Sequence, residues 1–106
     1  MILRFVKLTG GNVSAYNSLP DKVGGAIYVS DGAALYLYLS TIALNRARRG
    51  GGIFLASSSI ATIVGSNITS NMALGDGYGL WGTGGGGLFI DQNAKLQLYS
   101  STIASN

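Results

Sequence analysis

The acidic side chains set the limit on acid–base chemistry, because the chain has four of them and all are aspartates. Cleavage of a sugar polymer needs a pair of carboxyl groups, or several carboxylates around a calcium ion. Asp31 and Asp91 follow equivalent segments of a repeat, and strand spacing predicts that they lie about 9 to 10 Å apart. An inverting pair of carboxylates has a similar spacing, so a degenerate polysaccharide lyase stays open as an alternative. The competing interpretation is two solvated turn residues.

The sequence contains few residues that could support other catalytic or cofactor chemistry. Histidine and cysteine are absent, which excludes disulfide bonds, thiol chemistry and the usual zinc ligand sets. The glycine-rich segments are not followed by the Gly-Lys-Ser or Gly-Lys-Thr and the helix of a phosphate-binding loop. We therefore predict a protein that is not an enzyme and has neither a metal site nor a cofactor.

Aromatic side chains form the first candidate binding surface. Tyr28, Phe54 and Phe89 each lie between apolar neighbours. Alternation of this kind predicts that they point outward from strands and stack in a ladder. An exposed apolar stripe often marks an interface with another protein chain. The competing interpretations are that the stack only stabilises the sheet or that the inserted loop covers it.

A glycine-rich segment that carries Asp76, Tyr78 and Trp81 forms the second candidate surface. A Trp and a Tyr on a loop can stack on a sugar ring or on a partner side chain. The competing interpretation is that the loop folds back and buries Trp81. A carbohydrate-binding module that uses this loop is therefore an alternative function.

Three of the seven basic residues cluster at Arg46, Arg48 and Arg49, in a segment predicted to be a turn. Guanidinium groups bind acidic sugars and other anionic partners, whereas a solvated basic turn is the competing interpretation. A nucleic-acid binder would spread its basic residues over a face. With a net charge of +3, we expect no nucleic-acid partner.

An internal repeat positions all of these residues. Gly-Gly followed by a small residue, an aliphatic residue, an aromatic residue and another aliphatic residue occurs at 24–29, 50–55 and 85–90. Each copy continues to a Ser-Thr-Ile or Ser-Asn-Ile sequence that ends in Asn. The copies begin 26 and 35 residues apart. We therefore predict one domain built from repeats.

The second repeat is longer than the first, and the extra residues are assigned to an inserted loop over 72–83. A weaker earlier copy is predicted through Val6, Leu8, Val13 and Asn17. The predicted organisation is a partial or capping coil at 1–23 followed by repeats at 24–49, 50–84 and 85–106.

Period-two alternation within each repeat predicts short strands with one buried face. A strand of three to five residues cannot bury that face alone, so three strands must wrap into a coil and the coils must stack. Equivalent residues of neighbouring coils would then lie about 4.8 Å apart. The predicted fold is all-β, a right-handed parallel β-helix (solenoid) of three to four coils.

Asparagines and glycines that recur in the repeat are predicted to be architectural. Asn45, Asn71 and Asn106 are expected to form an internal ladder at one bend, where Asn tolerates left-handed backbone geometry. Paired glycines precede each first strand, where positive φ is expected. These glycines are Gly24, Gly25, Gly50, Gly51, Gly85 and Gly86.

The motifs Gly-Gly-Ala-Ile-Tyr and Gly-Gly-Gly-Ile-Phe, each followed by Ser-x-Ile-x-x-Asn, resemble the repeats of polymorphic outer membrane proteins. The resemblance covers 24–106. That family belongs to the wider pectin-lyase-like group of right-handed β-helices, so the resemblance implies this fold. It also implies a passenger region at the cell surface that is linked to adhesion.

Composition and repeat together lead to a functional expectation. Only 10% of residues are charged, against about 25% in an average domain, which indicates either sheet faces covered by Ser, Thr, Asn and Gly or packing against another surface. We expect a non-catalytic structural or adhesive module of a cell-surface or secreted assembly, as a segment of or partner in a larger complex. The expected partners are other protein chains, bound through open ends of the solenoid or the aromatic ladder, with glycans as a further candidate.

No segment reaches the roughly 18 apolar residues of a membrane span, and no signal peptide is expected.

Overall fold

The computed structural model describes residues 1–11, 23–74 and 85–106. These residues form β-strands joined by turns, without a helix, and every strand pairing among them is parallel. The predicted all-β class is therefore confirmed. In chain order the strands are β1 (Ile2–Arg4), β2 (Lys7–Thr9), β3 (Ile27–Val29), β4 (Ala34–Tyr38), β5 (Thr41–Ala43), β6 (Arg46–Ala47), β7 (Ile53–Leu55), β8 (Ile60–Val64), β9 (Asn67–Thr69), β10 (Met72–Ala73), β11 (Leu88–Ile90), β12 (Lys95–Tyr99) and β13 (Thr102–Ala104).

Each sheet takes its strands from successive repeats in sequence order. One sheet has the order β3-β7-β11, a second β1-β4-β8-β12, a third β2-β5-β9-β13, and β6 pairs with β10. The sequence repeat sets the register, since Ile53 lies opposite Ile27 on one side and Leu88 on the other. Identical positions of the repeat are therefore neighbours in space.

A short fourth strand in each of the first two repeats was not predicted. Arg46 lies in β6 rather than in a turn, and Met72 and Ala73, at the start of the predicted inserted loop, lie in β10. The Met72 N–H donates to the Asn45 carbonyl at 2.8 Å. This bond continues the pairing of β6 with β10 back to the bend that precedes β6. A strand of two residues is too short to show alternation, which is why the pattern missed it.

The predicted register of the earliest copy is wrong. Leu8, and not Val13, pairs with Ile42. Gly11 stands where the later repeats have an asparagine, since its N–H donates to the side-chain oxygen of Asn45 at 2.8 Å. Val13 and Asn17 lie outside the described residues. The apolar residues of this segment fit two registers equally well, and only the pairing partner distinguishes them.

The core collects the inward-facing residues of the three larger sheets into one cluster. In β4 and β8 the buried and partly exposed residues alternate, as Leu37 and Ile63 do with their neighbours. Outward positions are thereby presented in rows that cross the repeats, and this arrangement positions the candidate binding surface. The fully buried large apolar side chains are Leu35, Leu37, Ile42, Ile53, Leu55, Ile63 and Ile68.

The structure contains the asparagine ladder, formed by Asn45, Asn71 and Asn106. The Asn45 amide donates to the side-chain oxygen of Asn71 at 2.9 Å, and the Asn71 amide donates to that of Asn106 at 3.0 Å. Backbone N–H groups of Asn45 and Asn71 bond the same oxygens. Each rung therefore satisfies buried donors of the preceding repeat.

The left-handed residue at this bend precedes the asparagine. Leu44, Ser70 and Ser105 have φ of 58°, 53° and 55°, so the prediction that the asparagines supply this conformation is wrong. The preceding residue turns the chain, and the asparagine then points inward and bonds the next repeat. Left-handed backbone at non-glycine residues is strained, which the ladder offsets through its hydrogen bonds.

A serine ladder, formed by Ser40, Ser66 and Ser101, holds a second bend and was not predicted. The Ser66 hydroxyl accepts the Ser40 N–H at 3.0 Å and donates to the Val64 carbonyl at 2.9 Å. Ser101 accepts the Ser66 N–H at 3.0 Å. The signal in the sequence was the serine of the Ser-x-Ile-x-x-Asn motif, whose identity in three repeats matches this common role.

The glycine pairs divide into two structural roles. The first glycine of each pair has the expected positive φ, which is 68° at Gly24 and 59° at Gly50 and Gly85. The second glycine is required by crowding instead, since a Cβ on Gly51 would overlap the carbonyl oxygens of Gly86 and Met72. The prediction of positive φ is therefore wrong for the second glycines, Gly25, Gly51 and Gly86.

Candidate binding surface

The aromatic ladder, formed by Tyr28, Phe54 and Phe89, lies on the outward side of β3, β7 and β11. The rings of Tyr28 and Phe54 are stacked with centroids 5.7 Å apart and an interplanar angle of 12°. Those of Phe54 and Phe89 are 4.9 Å apart at 6°. In-register pairing places the three residues opposite one another, so the stacking follows from the repeat.

The ladder exposes less apolar surface than its sequence predicts. Tyr28 is 50% exposed, whereas Phe54 is only 5% exposed. The expectation that all three rings form an exposed stripe is wrong for Phe54, because its ring lies between those of Tyr28 and Phe89. We therefore expect the ladder to act chiefly as a support, with Tyr28 as its exposed end.

Replacing Phe54 by Leu tests this supporting role. The change removes two stacked aromatic pairs, and we expect the free energy of unfolding to fall by about 2 kcal/mol. The control Tyr28→Leu removes one pair at a half-exposed position and should lower it by about 1 kcal/mol. Urea unfolding followed by circular dichroism measures both. Equal losses in the two variants would contradict a central role for Phe54.

Arg49 is the member of the arginine cluster that the structure brings to the aromatic ladder. Its guanidinium carbon lies 5.8 Å from the centroid of the Phe89 ring. The backbone of Arg49 bridges to Val23, which holds the residue beside the first glycine pair. A guanidinium over an aromatic face is favourable, so the ring orients this cation. Arg46 is exposed on β6, and Arg48 is half-buried.

A surface cavity of about 250 Å³, which we name the turn cavity, lies beside the aromatic ladder. It collects the residues that follow three equivalent strands: Asp31 after β3, Ser57 after β7 and Asp91 after β11. Asp31 and Asp91 thus share one edge, as the repeat predicts. The lining residues are Val23, Tyr28, Asp31, Arg49, Phe54, Ala56, Ser57 and Asp91.

Stacked turns fix the positions of the polar groups around the turn cavity. The Gly32 N–H donates to the Ser57 carbonyl at 3.1 Å, and the Ser58 N–H donates to the Gln92 carbonyl at the same distance. A side-chain oxygen of Asp91 accepts the Gln92 N–H at 2.8 Å. These bonds link the turns of successive repeats, so the backbone that carries Asp31, Ser57 and Asp91 is held at the spacing of the sheet.

The arrangement suits recognition of a hydroxylated or charged group better than metal binding. Asp31 and Asp91 follow strands that are two strand spacings, about 10 Å, apart along the stack. Among the described residues, no cluster of three or more Asp, Glu, His or Cys is placed to hold a metal. The turn cavity instead combines two acceptors with guanidinium and hydroxyl donors.

A second cavity, of about 530 Å³, lies at the end of the third repeat, beside the last rung of the asparagine ladder. It belongs to the open end of the sheets rather than to their outer face. Its lining residues are Ser70, Asn71, Met72, Ala73, Gly85, Gly86, Ser105 and Asn106.

The remaining predicted binding residues, Asp76, Tyr78 and Trp81, lie outside the described residues. Within the described ranges, no helix has the length and apolar character needed to span a membrane. Comparison with known proteins finds no matching family model, no matching curated protein and no matching solved structure. What the chain does is therefore argued from its own geometry.

Proposed function

We propose that the four sheets are the faces of a right-handed parallel β-helix of three to four coils. The support is the order of the sheets, each of which adds strands in sequence order with in-register parallel pairing. Connections between parallel strands of one sheet are right-handed in almost all proteins. The asparagine and serine ladders add internal bonds that repeat once per coil.

The proposed function is that of a non-catalytic structural or adhesive module that docks through its open ends. The observation that carries this proposal is the exposure of the third repeat. Leu98 is 41% exposed and Ile103 is 38% exposed, whereas their partners Ile63 and Ile68 are fully buried. Apolar residues of two inward rows, one in each of two sheets, are thus covered in the second repeat and open in the third.

A further coil, from the same protein or from a second copy of the chain, would fit this end in register. Tyr38 and Tyr99 occupy the same position of the repeat, since both pair with Val64. Within the chain, Tyr38 pairs with Arg4, whose guanidinium carbon lies 5.9 Å from the tyrosine ring centroid. A copy docked end to end would place its Arg4 beside Tyr99 in the same sheet. Its exposed apolar Ile2 and Phe5 would meet the same end.

The proposal extends to a cell-surface or secreted assembly, of which the chain is a segment or a partner. The low charge content supports extensive packing against other chains. The resemblance of the glycine motifs to polymorphic outer membrane protein repeats supports the surface and adhesion parts.

Replacing Leu98 by Lys tests docking through the open end. The change places a charge on the exposed apolar row, so we expect filaments or oligomers of the purified chain to give way to monomers. The matched control is Gln97→Lys, on the same strand but with an outward side chain, which should leave assembly unchanged. Light scattering and negative-stain microscopy over a range of concentrations measure the result.

Circular dichroism verifies that both lysine variants remain folded, and Ile103→Thr offers a milder change on the exposed inward row of the neighbouring sheet. A wild-type chain that stays monomeric at every concentration would contradict the docking proposal. New reducing ends or unsaturated products from polygalacturonate would contradict the non-catalytic part.

A further inference from the structure

We propose that the turn cavity is a binding site for a neutral saccharide. The site is on the side of the molecule, on the outer face of one sheet, and it is complete within one chain. It therefore does not depend on docking through the ends.

The floor of the turn cavity is apolar and the rim is polar. Ala56 is 3% exposed and Phe54 is 5% exposed, so both are buried at the bottom. Asp31 is exposed, while Ser57 and Asp91 are half-buried and hold their polar groups at the rim. The accessible lining is therefore mostly polar, and a concave site with several convergent polar groups suits a ligand that carries many hydroxyls.

The rim offers both acceptors and donors. Each carboxylate accepts hydrogen bonds, the Arg49 guanidinium donates them, and the hydroxyl of Ser57 does either. Neighbouring hydroxyls of a sugar ring also donate and accept, so they match such a mixed set. Arg49 is preorganised by the Phe89 ring, which reduces the entropy that binding must overcome.

Charge and size argue against other occupants. A polyanion would meet the carboxylates of Asp31 and Asp91, and a basic side chain would meet Arg49. A volume of about 250 Å³ lies just below the roughly 300 to 1,000 Å³ of sites for drug-sized ligands. One sugar ring, at the end of a chain or alone, is therefore the expected occupant.

The test is a titration of the ¹⁵N-labelled full chain with lactose, cellobiose and N,N′-diacetylchitobiose, followed by NMR. We expect at least one disaccharide to shift the backbone amide signals of Ser57 and Gln92, with little dependence on salt because the ligand is neutral. Asp91→Asn and Asp31→Asn should each weaken this binding about tenfold, since hydrogen bonds to charged groups are the stronger ones.

Tyrosine variants provide a matched control. Tyr28→Phe removes a hydroxyl at the turn cavity and should weaken binding, whereas Tyr36→Phe removes one on β4 and should not. Repeating the titration on Leu98→Lys separates sugar binding from assembly. The proposal is overturned if none of the disaccharides shifts these signals, if the shifts map elsewhere, or if only oligogalacturonate or a lysine oligopeptide binds, in a salt-sensitive way.

Discussion

Replacing Gly51 by Ala is expected to destabilise the chain by about 4 kcal/mol or to prevent its folding. A Cβ at this position would overlap backbone carbonyl oxygens of Gly86 and Met72. These belong to different segments, so no single shift of the backbone relieves both contacts. Urea unfolding followed by circular dichroism gives the free energy of unfolding where a folded state persists.

The control for this prediction is Gly32→Ala. Gly32 has a φ of 69°, but an added Cβ meets nothing within 4 Å. The variant therefore carries only the left-handed backbone penalty of about 1 kcal/mol. If both alanine variants lost the same stability, backbone crowding between repeats would not be the reason for a glycine at position 51.

Asn71→Ala is the second change expected to have a large effect, with a loss of about 3 to 5 kcal/mol. Its side-chain oxygen accepts bonds from the N–H and the side-chain amide of Asn45. Its own amide donates to the carbonyl of Ile42 and to Asn106. Removal leaves several buried polar groups without partners, and each unsatisfied group is costly.

Asn67→Ala is the matched control, because Asn67 is an exposed residue on the adjacent strand β9. A surface substitution of this kind changes stability by about 0.5 kcal/mol or less. Thermal and urea unfolding of both variants give the comparison. A loss at Asn71 no larger than that at Asn67 would show that the asparagine ladder does not stabilise the repeat.

The two ladders also bear on the proposed docking. In each ladder, the backbone N–H of one repeat bonds a side-chain oxygen of the next, as Asn71 does with Asn106. Before the first full repeat, Gly11 occupies the asparagine position and Val6 the serine position. The Gly11 N–H donates to the side-chain oxygen of Asn45, and the Val6 N–H donates to the hydroxyl of Ser40. Neither residue has a side-chain oxygen. A docked second copy would therefore supply apolar contact and sheet pairing, but it would not extend either ladder.

The repeat, the strand class and the rows of equivalent residues all follow from local patterns in the sequence. Period-two alternation is a local property, so inward residues such as Ile53 and outward ones such as Phe54 were identified correctly. The asparagine ladder was also predictable, because a polar residue that recurs beside apolar positions needs partners, and its equivalents in the neighbouring repeats provide them.

Features that depend on distances between repeats could be found only in the folded chain. The two-residue strands β6 and β10 have no pattern of their own, and pairing alone reveals them. The crowding at Gly51 comes from backbone of other segments, and the burial of Phe54 comes from the rings on both sides. In the same way, Asp31, Ser57 and Asp91 line one cavity with Arg49 because parallel pairing brings turns of three repeats together. A local pattern fixes which side of a strand a residue faces, but neighbours distant in sequence fix how much space it has.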